Sequence, residues 1–251
     1  MKLFENFKIF HNPLMRGEVY NRKYTVAFTL AEVLITLGII GVVAALTIPN
    51  VVTKYQKKAT AAQLKKAYNI LTNALRMSEA NYGAGAFPLR NEILSDASLT
   101  DTYNMFETYF VPYLQGVRKI NSNKFYYSSA GAIAYHVYNN LDHAYCINNG
   151  MCFAFFNANH SYCYILVDLD GPDKGPNRVG RDTFYFAIHF NENNTIIDGK
   201  GYQIYNWTTV DQIYNNNQCS KTGGIWLNGH GCTEIIIRNN WEIPDDDRYP
   251  W

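Results

Sequence analysis

Hydrophobic and polar positions divide the chain into stretches of different character. From Val33 to Thr53 run 21 consecutive uncharged residues, VLITLGIIGVVAALTIPNVVT. As a helix rising about 1.5 Å per residue they would reach roughly 31 Å, the thickness of a bilayer's hydrocarbon core. The helix continues over residues 54–82, where apolar or small side chains recur at Ala59, Ala62, Ala67, Leu71, Ala74, Leu75 and Ser78. That spacing of three and four makes one face suited to packing on a sheet. Tyr82-Gly83-Ala84-Gly85 ends it, because glycine permits the left-handed backbone that terminates helices. A further helix is expected near Leu99–Leu114, with Pro112 close to its end. Beyond it lie short β-rich runs bounded by turn residues: Lys124–Tyr127, Ala132–Tyr138, Cys152–Phe156, Tyr162–Val167, Thr183–Phe190 and Thr195–Asp198. The predicted fold class is α+β, a long N-terminal helix, its first half transmembrane, laid across an antiparallel sheet.

Composition sharpens this picture in two places. Hydrophobic residues make up 47% and charged residues 17%, enough for a packed core. The formal net charge of +1 gives no electrostatic case for nucleic acid. Charge is uneven, however: Lys2, Lys8, Arg16, Arg22 and Lys23 precede residue 28 against Glu5 and Glu18 alone. Arg22 and Lys23 beside the uncharged run favour a cytoplasmic N-terminus, although Lys54, Lys57, Lys58, Lys65 and Lys66 beyond it blur the asymmetry. A cleaved secretory signal is the ordinary alternative, with Val43-Ala44-Ala45 as its small-residue site. The run exceeds a usual signal core, and Glu32 stands at its start. A carboxylate there costs about 2–3 kcal/mol at full membrane depth, less near the interface, so it calls for a partner. The uncharged run contains no base to supply one.

The residues around that glutamate, Ala27-Phe28-Thr29-Leu30-Ala31-Glu32-Val33-Leu34, resemble the processing motif of type IV prepilins and type II secretion pseudopilins. In that family a small residue precedes the cut, Phe opens the mature chain and Glu is its fifth residue. Phe28 and Glu32 match; Ala27 stands where Gly is commoner. The resemblance implies cleavage between Ala27 and Phe28 by an inner-membrane prepilin peptidase, and N-methylation of Phe28. It divides the chain into a leader (1–27, from Met1, or shorter from Met15), a transmembrane and assembly segment (28–53) and an exported head (54–251). Pro49 falls where many pilins carry a helix-loosening proline, so the helix is expected to bend or melt there, or to end just beyond the membrane. Glu32 would pair with the Phe28 ammonium of a neighbouring subunit. Phe28 and Glu32 are also four residues apart, so a contact within one helix face is the other expectation.

All five cysteines, Cys146, Cys152, Cys163, Cys219 and Cys232, follow the uncharged run, as disulfides formed outside the cytosol require. Cys219 and Cys232 enclose KTGGIWLNGHG and resemble the C-terminal disulfide loop of many type IV pilins. Cys146 and Cys152 pair across INNGM, leaving Cys163 odd. Zinc on these cysteines with His143, His160 or His230 is the rival, but no CxxC occurs. Between Val167 and Asp182 lies an acidic, Gly- and Pro-rich loop. Asp168, Asp170, Asp173 and Asp182 could converge there on calcium, as in the head of pseudopilins that this loop resembles. It is no EF-hand, since Val179 stands where the bidentate Glu belongs. The competing expectation is a turn whose aspartates cap backbone amides, with Lys174, Arg178 and Arg181 neutralising them.

Function classes follow. The first is a structural subunit with no catalytic residues of its own. Its partners would be other copies or related pilin subunits, the prepilin peptidase, an inner-membrane assembly platform and membrane lipid. It would sit in the bacterial inner membrane by a single pass, with its head in the periplasm, and join a periplasmic or extracellular filament. The second is an exported binding protein or enzyme held by a signal anchor or secreted; no nucleophile elbow, metal triad or phosphate loop supports an enzyme. The third is a DNA-uptake minor pilin. Without the leader, 17 basic and 19 acidic residues remain, and no basic stripe with interleaved aromatics favours nucleic acid.

Overall fold

The computed structural model describes residues 28–83, 106–120, 126–127, 135–136, 144–159, 162–191, 194–198, 209–221, 229 and 231–251. Two compact units divide the chain, Met1–Pro49 and Asn50–Trp251. Helix α1, Leu30–Tyr82, contributes to both. In the first unit its large apolar side chains are exposed, from Leu30, Leu34 and Leu37 to Leu46 and Ile48. Among the described residues α1 is the one helix long and apolar enough to cross a membrane. Pro49 lies inside α1, so the helix neither melts nor ends there. Proline removes one N–H from the ladder, and the turns on either side suffice to carry the helix through.

The second unit is a helix-on-sheet head. Six antiparallel strands lie in the order β1-β4-β5-β6-β7-β8: Arg118–Ile120, Ala144–Cys146, Cys152–Asn159, Tyr162–Asp168, Thr183–Asn191 and Asn194–Asp198. Strands β2 (Tyr126–Tyr127) and β3 (Tyr135–His136) form a separate pair. Strand alternation sorts the core. Phe155, Ile165 and Phe186 are register partners along one row, as are Phe153, Val167 and Phe184 along the next. All six are buried in the same cluster as Leu64, Leu71 and Leu75 of α1. Their neighbours one residue on, Ala154, Leu166 and Tyr185, belong to a smaller cluster on the opposite face with Cys146 and Cys152. Period two along each strand therefore yields two distinct apolar faces.

The α1 face that packs in this core is Ala61, Leu64, Ala67, Leu71, Ala74, Leu75 and Ser78. It is rotated slightly from the expected set, since Ala62 is exposed and Ala59 only half-buried. Leu64 sets the phase, because burying a leucine outweighs burying an alanine by more than 1 kcal/mol. Residues 106–109 are helical, followed by a 3-10 turn at Val111–Tyr113 that contains Pro112. The rest of the helix expected at Leu99–Leu114 lies outside the described residues. Phe106 stacks on Phe155 at 4.4 Å between ring centres.

Strands β1 and β4 and two C-terminal helices were not expected from the pattern: α2, Val210–Asn215, and α3, Cys232–Arg238. Each is seven residues or fewer, too short to show a periodicity. The tail after α3 is fastened at several points. Lys57 Nζ of α1 donates to Asp245 Oδ1 at 2.8 Å and Pro244 O at 3.0 Å. Arg248 bridges Asp246 and Asp211 and lies over the Tyr214 ring at 4.2 Å. Trp241 packs 5.2 Å from Tyr68 of α1.

Leu71→Ala should lower unfolding stability of the full chain in detergent by about 2–5 kcal/mol, whereas Leu46→Ala on the exposed run should change it by less than about 0.5 kcal/mol. Equal effects in denaturant titrations would contradict the packing described.

Candidate functional site

Two places carry the expected site residues, and they lie in different units. At the helix start, Thr29 immediately precedes α1. Its N–H and Oγ1 both donate to Glu32 Oε2 at 2.8 Å, and Glu32 N–H donates to Thr29 Oγ1 at 3.2 Å. This is a capping box, with Glu32 as the third helical residue satisfying an otherwise orphaned backbone donor. Glu32 therefore has a local partner that reasoning from charge alone overlooked. The signal was in the letters, since T-x-x-E before an apolar run is the capping-box pattern. Phe28 precedes the cap and is outside the helix, so the expected Phe28–Glu32 contact on one helix face does not apply. Ala27 lies outside the described residues.

In the head, both expected disulfides are present. Cys146–Cys152 joins the facing register partners of β4 and β5, and Cys219–Cys232 links the end of the α2 turn to the first residue of α3. Cys163 lies in β6. His143, His160 and His230, considered for zinc, lie outside the described residues.

The acidic loop joins β6 to β7 and runs between these two bridges. Leu169 N–H donates to Asp182 O at 2.9 Å and closes its base. Asp168 Oδ1 accepts from Gly171 N–H at 2.7 Å and Asp170 N–H at 3.2 Å. The Asp182 carboxylate accepts from the N–H groups of Asn177 and Arg178. A Cβ on Gly171, whose φ is +96°, would sit 3.1 Å from Gly150 O and 3.5 Å from Cys152 Sγ. A Cβ on Gly180, at φ +86°, would come within 2.9 Å of both Cys232 Sγ and Pro250 Cγ. Tyr249, fully buried, donates its hydroxyl to Gly180 O at 2.8 Å. One end of the loop thus rests on the first disulfide, and the other on the second disulfide and the C-terminal tail.

Calcium does not fit this arrangement. Among the described residues, no three His, Cys, Asp or Glu side chains gather as a metal-holding group, so Asp168, Asp170, Asp173 and Asp182 do not converge. Calcium needs six to eight oxygens around one point, and here Asp168 and Asp182 face backbone amides several residues apart. The capping expectation describes them better. Arg181, expected to neutralise the acids, stacks over Trp251 at 5.6 Å.

Comparison with known proteins bears on the head. Residues 50–251 match a family of unknown function (DUF6613). The chain belongs to that family. No curated protein and no solved structure matches it. The DUF6613 match begins at Asn50, where the second compact unit begins. The family domain is thus the disulfide-braced head, and residues 28–49 lie ahead of it.

Electrostatics within the DUF6613 head centre on Asp168. Burial pushes its carboxyl up to about 7, against the opposing pull of the Gly171 and Asp170 N–H groups, and the charges of Asp170 and Asp182 push the same way as burial. Asp182 is likewise raised by burial, with the Arg178 and Asn177 N–H groups opposing. The second oxygen of Asp168 is buried without a hydrogen-bond partner among the described residues.

The sign follows from proton linkage. The folded state holds a proton on Asp168 that the unfolded chain has lost above about pH 4, so this contribution is complete below pH 4 and is lost as pH rises through about 7. The full chain in detergent should melt roughly 2–8 °C lower at about pH 8 than at about pH 5. Asp168→Asn, which keeps the Oδ1 acceptor, should flatten most of that difference. Melts with calcium and with a chelator should superimpose; a chelator-sensitive melting temperature would contradict the capping description.

Proposed function

We propose that this chain is a structural subunit of a type IV pilus-like or type II secretion pseudopilus filament, anchored in the bacterial inner membrane until assembly. The observation that carries this reading is the first unit of α1. A helix begins two residues behind Phe28, holds one carboxylate in its first turn, and then exposes uncharged side chains as far as Val52. Phe28 is 82% exposed and Leu46 70% exposed. Nothing among the described residues covers that surface. Lipid would cover it before assembly, and the same segment of neighbouring subunits afterwards.

Glu32 has two tasks on this reading. Its Oε2 caps its own helix, and among the described residues Oε1 makes no hydrogen bond, which leaves it for the Phe28 ammonium of a neighbour. A charge pair in a low-dielectric bundle is a register device, because each group is costly without the other. Two disulfides in the head agree with a destination outside the cytosol. The partners of this reading are further copies or related subunits, the prepilin peptidase and the assembly platform.

N-terminal mass spectrometry of the membrane-extracted protein tests it. The expected mature chain begins at N-methylated Phe28. A chain beginning at Leu46 would identify a secreted protein instead, and an unprocessed start at Met1 or Met15 a simple signal anchor; either contradicts the filament reading.

A further inference from the structure

A groove of about 730 Å³ lies between α1 and the segment leading into the tail, lined by Lys54, Lys58, Lys65, Trp241 and Ile243 among others. We propose that this groove seats the headgroup of an anionic phospholipid from the leaflet in which α1 is anchored. The inference rests on the membrane-anchored reading of α1 and goes beyond it by naming what the head recognises at the membrane surface.

Position along the helix is the first observation. Lys54 and Lys58 fall about 1.5 Å and 7.5 Å beyond Thr53, the last residue of the uncharged run. The polar layer on each side of a bilayer is about 5–7 Å deep, so Lys54 falls within it and Lys58 at its outer edge, within reach of lipid phosphates by its flexible stem. Lys65, about 18 Å on, lies beyond that layer. Lys54, Lys58 and Lys65 are spaced by four and seven, so all three share one helix face.

Charge is the second. Four lysines line the groove against two carboxylates, Glu242 and Asp245. Asp245 is already committed: Lys57 Nζ is 2.8 Å away and only 14% exposed, and Lys57 followed by Lys54 holds the Asp245 carboxyl below its usual range. Lys57 is thus a structural clasp on the tail. Lys54 and Lys58 are exposed and form no ion pair with a described residue.

Shape is the third. Trp241, half-buried between Tyr68 and the Lys65 ammonium, and the buried Ile243 give the groove an apolar wall beneath its cationic rim. Lysine stems can lie along such apolar surface while the ammonium reaches a phosphate. The lysines that weaken an orientation argument from charge alone thus acquire a task.

The full chain reconstituted in phosphatidylcholine vesicles, probed with spin-labelled phosphatidylglycerol and phosphatidylcholine, tests the inference. A lysine near an anionic surface is worth about fivefold in association, so the wild type should prefer phosphatidylglycerol about fivefold or more, and less so at high salt. Lys54→Gln with Lys58→Gln should bring the preference close to unity without changing the head's melting temperature. Equal association in the wild type, or a preference retained in the double variant, overturns the inference. So does displacement by inorganic phosphate beyond that by chloride at equal ionic strength, which would mark a free-anion site. A cross-link from Lys58 to the acidic tail of a second copy would name that copy as the occupant and likewise overturn it. Failure to float with phosphatidylcholine vesicles overturns the membrane reading as well; flotation without lipid preference overturns this inference alone.

Discussion

Burial of Leu64, Leu71 and Leu75 of α1 against the Phe153, Phe155, Phe184 and Phe186 face of the sheet is the contact on which the head depends. Each of these side chains is buried and adds roughly 1.5–3 kcal/mol of apolar transfer, and α2 and α3 of the head are seven residues or fewer. The same helix carries a second apolar surface, earlier in the chain, that no described residue covers. A protein in water rarely exposes so continuous an apolar surface without a surrounding to hide it in. The head can be understood from its own core, whereas the first unit has no such core among the described residues.

The far side of the head is organised by covalent closure. Neither C-terminal helix is long enough to persist alone, and both sit beside the Cys219–Cys232 bridge, which by loop entropy contributes about 3 kcal/mol. The β6–β7 loop is wedged between that bridge and Cys146–Cys152, and its two buried aspartates hold the turns through backbone amides. Burial raises both carboxyls above the usual range, so the loop carries less negative charge than its composition counts.

The long elements were legible in the residues. α1, β5, β6, β7 and β8 all lie within a residue or two of their expected ends, except that the expected β5 stopped at Phe156 rather than Asn159. Both disulfides were read from spacing and likeness. What escaped falls into two kinds. Strands β1 and β4 and helices α2 and α3 are held by tertiary neighbours rather than by pattern; Thr209 and Gln212 nonetheless form a capping box, T-x-x-Q, the same local signal as Thr29 and Glu32. The convergence of four aspartates failed for another reason, since spacing cannot say whether a carboxylate turns toward an ion or toward its own loop's N–H groups. The tail holds a buried Tyr249 that bonds the loop at Gly180, beside α3's disulfide.

The filament account turns on whether Glu32 acts by charge or only as a helix cap. Glu32→Gln separates the two, because glutamine keeps an oxygen to accept from Thr29 and loses the negative charge, while Glu32→Ala removes both. The decisive measurement is the amount of this subunit in filaments sheared from cells expressing each variant, with processing at Phe28 checked in parallel. The account predicts that both variants are processed and that neither enters filaments at the wild-type level. Wild-type incorporation of Glu32→Gln would show that the cap alone matters and would contradict the charge-paired assembly.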